Sequence, residues 1–234
     1  MNDEKSIAVE TSGRRGSVAL GEGPRLLAER EFPTQVEHAK ELLPAVDELL
    51  RRQGWSPADI RHCYVSIGPG SFTGLRVAVA FARHLALATA ARVCAVPTLD
   101  AVVESCTSMD PPPLHVAVVL DAKRQQVFGA VYEFHGGEYR RLTGPNLDVP
   151  AAILAAAPKP ISVIGEGVDY HRQAIEASGA VILDQSLWLP TAANVYKLGR
   201  RLAERGRFIA AMDLAPCYVR RPEAEELWEK RHAK

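Results

Sequence analysis

The chain is poor in several things that usually announce a function. Its 28 Lys and Arg are cancelled by 28 Asp and Glu, so no overall field draws it to nucleic acid, and any RNA role must be local or borrowed from a partner. No apolar run approaches the ~18 residues of a membrane span, and the acidic opening Met1-Asn-Asp-Glu-Lys5 is unlike a secretory leader. A cytoplasmic, non-membrane protein is therefore expected. Cys63, Cys94, Cys106 and Cys217 contain no C-x-x-C pair. Cys63 and Cys94 lie in or beside apolar strands, as small core residues do, and reduced thiols are expected. None of the seven histidines has a second at i+4, the helical spacing that puts two metal ligands on one face. His38 has Leu42 in that place.

What is present is ordinary globular material, 47% hydrophobic and 24% charged over 234 residues, enough for one large domain or two small ones. The most specific segment is Ser66-Ile-Gly-Pro-Gly-Ser-Phe-Thr-Gly-Leu-Arg76. Gly68, Pro69, Gly70 and Gly74 require a backbone that neither helix nor sheet supplies. Ser71 and Thr73 stand where a helix takes its N-cap. Such a turn either cradles an anion on free amides or fits closely against another backbone. It lacks the lysine of a Walker loop, and its third glycine falls one residue too late for a dinucleotide fingerprint. Ser71 is no nucleophile elbow, because Pro69 and Thr73 occupy the flanking glycine positions.

The order of elements repeats. Short strands are expected at 7–10, 17–20 and 26–32, and a helix at 36–53 with a Thr34–Glu37 capping box and Gly54 as its C-terminal cap. Its buried face is Val36, Ala39, Leu42, Leu43, Val46, Leu49 and Leu50, and Pro44 should bend it. A strand at 63–67, the glycine loop, a helix at 75–89 and a strand at 92–96 follow. After the break at 108–113, strands at 115–121, 127–134 and 138–142 precede a helix at 151–157, a strand at 161–164, a helix at 170–178, a strand at 181–183 and a helix at 192–205. Two βββαβαβα units imply a duplicated α/β fold: a first lobe over 1–107, a second over 114–207, and a tail, 208–234, expected to return to the first lobe.

The first strand of each unit ends in an acid, Glu10 and then Asp121. Duplicated ribonuclease-H-like folds that bind ATP place a carboxylate and phosphate-binding turns there. Here the second turn, Asp121-Ala-Lys-Arg-Gln-Gln126, has no glycine to admit a phosphate, so half of such a clamp is degraded. Solvated strand-end carboxylates are the competing reading. No catalytic set stands out. Ala78, Ala82, Ala86 and Ala90 recur every four residues, with Leu75, Val79 and Leu85 nearby. Small residues on a stripe allow close helix approach, either to the chain's own sheet or to a partner.

The 66–76 segment resembles the signature of the bacterial TsaB (YeaZ) family. The likeness extends to Glu10-Thr-Ser, Glu37-His-Ala-Lys-Glu-Leu-Leu-Pro44, Val119-Leu-Asp-Ala-Lys123 and Pro216-Cys-Tyr-Val-Arg-Arg-Pro-Glu-Ala-Glu225. The resemblance implies an ASKHA-type (actin-like ATPase) fold. It implies a non-catalytic dimerisation subunit of the complex that attaches threonylcarbamoyl to the adenosine beside the anticodon of tRNA. The partners implied are a TsaD-like catalytic subunit, which would carry the ATP and the metal, and a TsaE-like ATPase. This chain would bind no cofactor or metal alone, would form a homodimer when alone, and would meet tRNA only through the complex. Docking is expected through Val36, Ala39, Leu43, Leu75, Ala78, Val79, Ala82 and Ala86, with Gly68 to Arg76 setting the second helix. Two departures from the family pattern bear on partner affinity: Glu10 in place of a frequent Asp, and Arg83-His84 in place of a frequent Lys-Gly. A stand-alone ATPase or phosphotransferase using Glu10, Asp121 and the glycine loops is the alternative.

Overall fold

The computed structural model describes residues 4–32 and 38–220. The first unit runs β1 (Lys5–Glu10), β2 (Gly16–Glu22), β3 (Arg25–Phe32), α1 (His38–Gln53), β4 (His62–Gly68), α2 (Phe72–Thr89), β5 (Arg92–Pro97) and α3 (Thr98–Val103). The second runs β6 (His115–Asp121), β7 (Val127–His135), β8 (Glu138–Asp148), α4 (Pro150–Ala155), β9 (Ser162–Ile164), α5 (Val168–Ala177), β10 (Val181–Ile182) and α6 (Ala192–Glu204). The two sheets have the orders β3-β2-β1-β4-β5 and β10-β9-β6-β7-β8. They match strand for strand, so the fold is α/β and duplicated, as expected.

Local chemistry accounts for the boundaries. Gly54, at φ 65, closes α1: Trp55 N donates to Leu50 O at 2.9 Å and Gly54 N to Arg51 O at 3.1 Å, the paired bonds of a Schellman end. The helix continues through Pro44. The Thr34–Glu37 capping box, Val36 and the side chain of His38 lie outside the described residues. Gly136 and Gly137, both at positive φ, make the two-residue turn between β7 and β8. Strand β8 extends past Gly144-Pro145, beyond the expected end at Leu142. It is an edge strand, and a proline costs no ladder bond on the open edge.

Alternation along β1 and β4 divides the first lobe into two cores. Ile7, Val9, Cys63 and Val65 face α1 and α2, meeting Leu42, Ala45, Leu49, Ala78 and Ala82. Each leucine so buried contributes about 1.5–3 kcal/mol. Ala8, Tyr64, Cys94 and Val96 face the other way, against Ala192, Val195 and Tyr196 of α6. Helix α6, which element order assigns to the second lobe, thus covers the first sheet. Its first amides are received there, Ala192 N by Ser17 Oγ at 2.8 Å and Ala193 N by Glu29 Oε1 at 2.9 Å. Helix α3, absent from the sequence expectation, sends Leu99, Val102 and Val103 into the core of the second lobe. The two closing helices are exchanged, and each lobe is completed by a segment of the other unit.

Candidate functional site

The carboxyl ends of the central strands open into a cleft of about 680 Å³ between the lobes, within the range of small-molecule sites. Four turns and the tail wall it, through residues such as Ser12, Arg14, Gly70, Lys123, Glu166 and Tyr218. Two tight backbone fits shape it. A Cβ on Gly70 would lie 2.5 Å from Ser12 O, and one on Gly165 2.2 Å from Val119 O. Only glycine lets these turns lie against the neighbouring strand ends. Ser71 N donates to Ser12 O at 2.7 Å, and Thr11 Oγ1 donates to Gly74 O at 2.7 Å. Of the two roles open to the glycine loop, it performs the close backbone fit. Ser71 caps α2 by accepting from Gly74 N at 3.3 Å. Thr73 is exposed within the first helical turn, which starts at Phe72, earlier than expected. Gly68 (φ 111) and Pro69 turn the chain beneath the tail, where Cys217 N donates to Ile67 O at 2.6 Å.

The strand-end acids differ. Glu10 is wholly buried. Ser12 donates to its Oε1 through both amide and hydroxyl, while Oε2 has no hydrogen-bond partner. Burial raises its pKa, and the Ser12 bonds oppose this. The Ser66 hydroxyl is near enough to ease the charge but makes no bond of normal geometry. Asp121 lines the cleft and accepts from Lys123 N at 3.1 Å. Lys123, Arg124 and Gln125 follow with φ of 60, 53 and 63, a left-handed run that disfavours side chains by about 1–2 kcal/mol each. The turn closes through Ala122 N to Gln126 O at 3.0 Å.

Side chains that sequence reasoning did not select dominate the rest of the cleft. Arg14 Nε lies 3.2 Å from Glu166 Oε2, and Arg14 also donates to Tyr170 Oη. Burial raises the Glu166 pKa, Arg14 opposes this, and Asp121 and Asp169 add to the rise. Arg220, from the tail, donates to Ala122 O and Gln126 Oε1. Nothing local in the sequence marks these pairings. Gly165 and Gly167, which present Glu166, were the one available signal.

The expected docking residues separate into two groups. Leu75, Ala78 and Ala82 are wholly buried and Val79 nearly so, in the chain's own core. That removes them from any surface a partner could touch, because the alanine stripe serves the approach of α2 to its own sheet. Ala86 is half-buried, Ala39 is exposed, and Leu43 is 62% exposed. Leu87, at 69%, is an exposed apolar residue on α2 that was not selected. Arg76 lies over the Phe72 ring at 3.8 Å and reaches Tyr218 Oη at 3.3 Å. Arg83 has an internal task, donating from Nε to Leu214 O at 3.0 Å.

Cys63, Cys94 and Cys106 are buried, and burial pushes each thiol up to about 12. Cys217 lines the cleft. Among the described residues no three His, Cys, Asp or Glu side chains converge to hold a metal ion, and no helix is long and apolar enough to cross a membrane. A second cavity, about 340 Å³, lies at the opposite ends of the strands. There His62 Nε2 is 2.7 Å from Glu4, and His62 Nδ1 and Ser6 Oγ are each 3.3 Å from Tyr64 Oη. Burial lowers the His62 pKa, although Glu4 pulls it upward, and burial pushes the Tyr64 phenol well above its usual range. The set is mutually bonded and offers no activated nucleophile.

Two matched five-stranded lobes with a cleft between their strand-end turns define a duplicated α/β protein. A family model described as "TsaD: tRNA N6-adenosine threonylcarbamoyltransferase" matches residues 33–227, and the chain belongs to that family. Three relatives aligned over nearly their whole length carry the TsaB name. The tRNA threonylcarbamoyladenosine biosynthesis protein TsaB of Bacillus subtilis is 28% identical, with 95% of this chain and 96% of the relative aligned. The Escherichia coli protein of the same name is 27% identical, with 96% of each covered. The solved structure of YeaZ from Pseudomonas aeruginosa superposes with a TM-score of 0.79 at 28% identity, over 91% of this chain and 100% of that one.

Proposed function

We propose that the chain is a non-catalytic dimerisation and scaffold subunit of the machinery that adds a threonylcarbamoyl group to the adenosine next to the anticodon of tRNA. It docks and activates a TsaD-like catalytic subunit, works beside a TsaE-like ATPase, and pairs with itself when alone. ATP and the metal belong to the partner, and tRNA is met through the complex. The cleft carries this reading. Its first carboxylate is sealed in and engaged by Ser12, and its second strand-end turn presents Lys123, Arg124 and Gln125 where a phosphate would need bare backbone. The tRNA threonylcarbamoyladenosine naming of the full-length relatives supplies the pathway.

Docking falls to the exposed parts of α1 and α2, with Ala39, Leu43 and Leu87 as apolar contacts and Thr73, Arg76 and His84 as polar ones. Leu43→Glu places a charge on this surface without entering the core, whereas Ala82→Glu would put a carboxylate inside it. In a capture assay with a purified TsaD-like partner, Leu43→Glu is expected to weaken binding about tenfold or more, as losing an interface anchor does, with unchanged circular dichroism. Calorimetry of the isolated chain with Mg-ATP should give neither micromolar binding nor turnover. Enzyme-like hydrolysis by the lone chain would instead establish the ATPase reading, which the size of the cleft favours.

A further inference from the structure

We propose that Arg14 and the tail form an interlobe latch, which fixes the separation of the two lobes across the cleft. The inference is independent of the docking proposal. Among the described residues two sets of contacts cross the cleft, and they arise from unrelated parts of the chain.

The first is Arg14, carried on the turn between β1 and β2. It reaches the second lobe at Glu166 (Nε to Oε2, 3.2 Å) and at Tyr170, whose ring centroid is 5.2 Å from the guanidinium carbon. The Arg14 side chain is 42% exposed and that of Glu166 16%, so the pair is partly sheltered yet still within reach of salt. A side chain of one lobe thus engages the other directly.

The second is the tail. Ile209 bridges to Val93, and Leu214 is wholly buried in the core of the first lobe. Arg83 holds the carbonyls of Met212 and Leu214. Tyr218 stacks on Phe72 with ring centroids 5.1 Å apart. Up to this point the segment belongs to the first lobe. Arg220 then clasps the turn of the second lobe through Ala122 O and Gln126 Oε1. That turn is the left-handed run of Lys123 to Gln125, a conformation that needs outside support. The strap supplies support and closure together. Because the same strap lies along α2, movement of the second lobe is coupled to the surface of that helix.

The test measures lobe separation. Spin labels are placed at Arg51→Cys on α1 and Glu176→Cys on α5, whose native side chains are 78% and 57% exposed, in a Cys217→Ser background. Pulsed electron–electron resonance on this full-length protein is expected to give one narrow distance distribution. Adding Arg14→Ala and Arg220→Ala together should raise the longer-distance population about tenfold, the consequence of removing contacts that favour one of two states. Each change alone should have a smaller effect. A second arm keeps Arg14 and Arg220 and raises the salt from 0.05 to about 0.5 M, which should broaden the distribution by screening the Arg14–Glu166 pair. This arm needs no destabilising variant. A distribution unmoved by both arms, or one already broad at low salt with the latch intact, would overturn the proposal.

Discussion

Replacing Glu10 with Gln tests the central electrostatic claim about the cleft, that its first carboxylate is a buried burden. Glu10 is wholly buried, and burial raises its pKa above the ordinary 4.5. A carboxyl group whose folded pKa is raised binds its proton more tightly in the native state. Its stabilising contribution is therefore full below pH 4.5 and is lost as pH rises through the folded value. The bonds from Ser12 ease the charge at Oε1, but Oε2 is left buried without a partner, and an unsatisfied buried polar atom costs about 1–3 kcal/mol. Gln keeps an oxygen for Ser12 and turns an amide, in place of the unpartnered Oε2, toward Ser66. Glu10→Gln should therefore be more stable than wild type by about 1–3 kcal/mol at pH 8 and indistinguishable from it near pH 4. At this chain length that is about 2–12 °C in Tm. Urea titrations at pH 4, 6 and 8 check it. A variant less stable than wild type at pH 8, or a difference that does not vary with pH, would refute the reasoning.

Two glycine substitutions follow from the packing. Gly199 sits inside α6, where alanine ordinarily gains about 1 kcal/mol, yet a Cβ there would lie 2.3 Å from the Tyr64 ring. Gly199→Ala should instead lose about 2–3 kcal/mol in denaturant titration, and a stabilised variant would contradict the packing of α6 on the first sheet. Gly70→Ala, meeting Ser12 O at 2.5 Å, should cost about 1–3 kcal/mol and speed amide exchange at Ser71, whose N–H bonds that carbonyl.

Periodicity and punctuation carried most of the architecture. The Gly-Gly hairpin, the Gly54 cap and the apolar runs of the central strands are local signals, and local chemistry fixes the elements they mark. Helix α3 was missed because Thr98–Val103 is only six residues, four of them apolar, too short for periodicity to tell helix from strand. The end of β8 was misplaced because Gly144-Pro145 reads as a stop, and only its position at a sheet edge makes it tolerable. The alanine stripe was legible as a close-approach surface, but small side chains do not specify what approaches, and the chain's own sheet claimed Ala78 and Ala82. Least visible was the latch. Arg14 and Glu166 are 152 positions apart, and an ion pair leaves no periodic trace at either end. The glycine loop was the most specific segment, yet only coordinates could separate an anion cradle from a joint.

The exchange of α3 and α6 between lobes has a consequence for how the protein is made. After β5 leaves the ribosome, the first sheet has α1 and α2 on one face. On the side bearing Ala8, Ala19 and Tyr64 only Ala101 of α3 is at hand early, and the rest stays bare until α6 arrives about a hundred residues later. At ordinary translation speeds that is about 5–20 s, far longer than local folding takes. During that interval the nascent polypeptide offers chaperones an apolar surface that the finished molecule never displays. Neither half of the duplication, made separately, should yield an independently stable product.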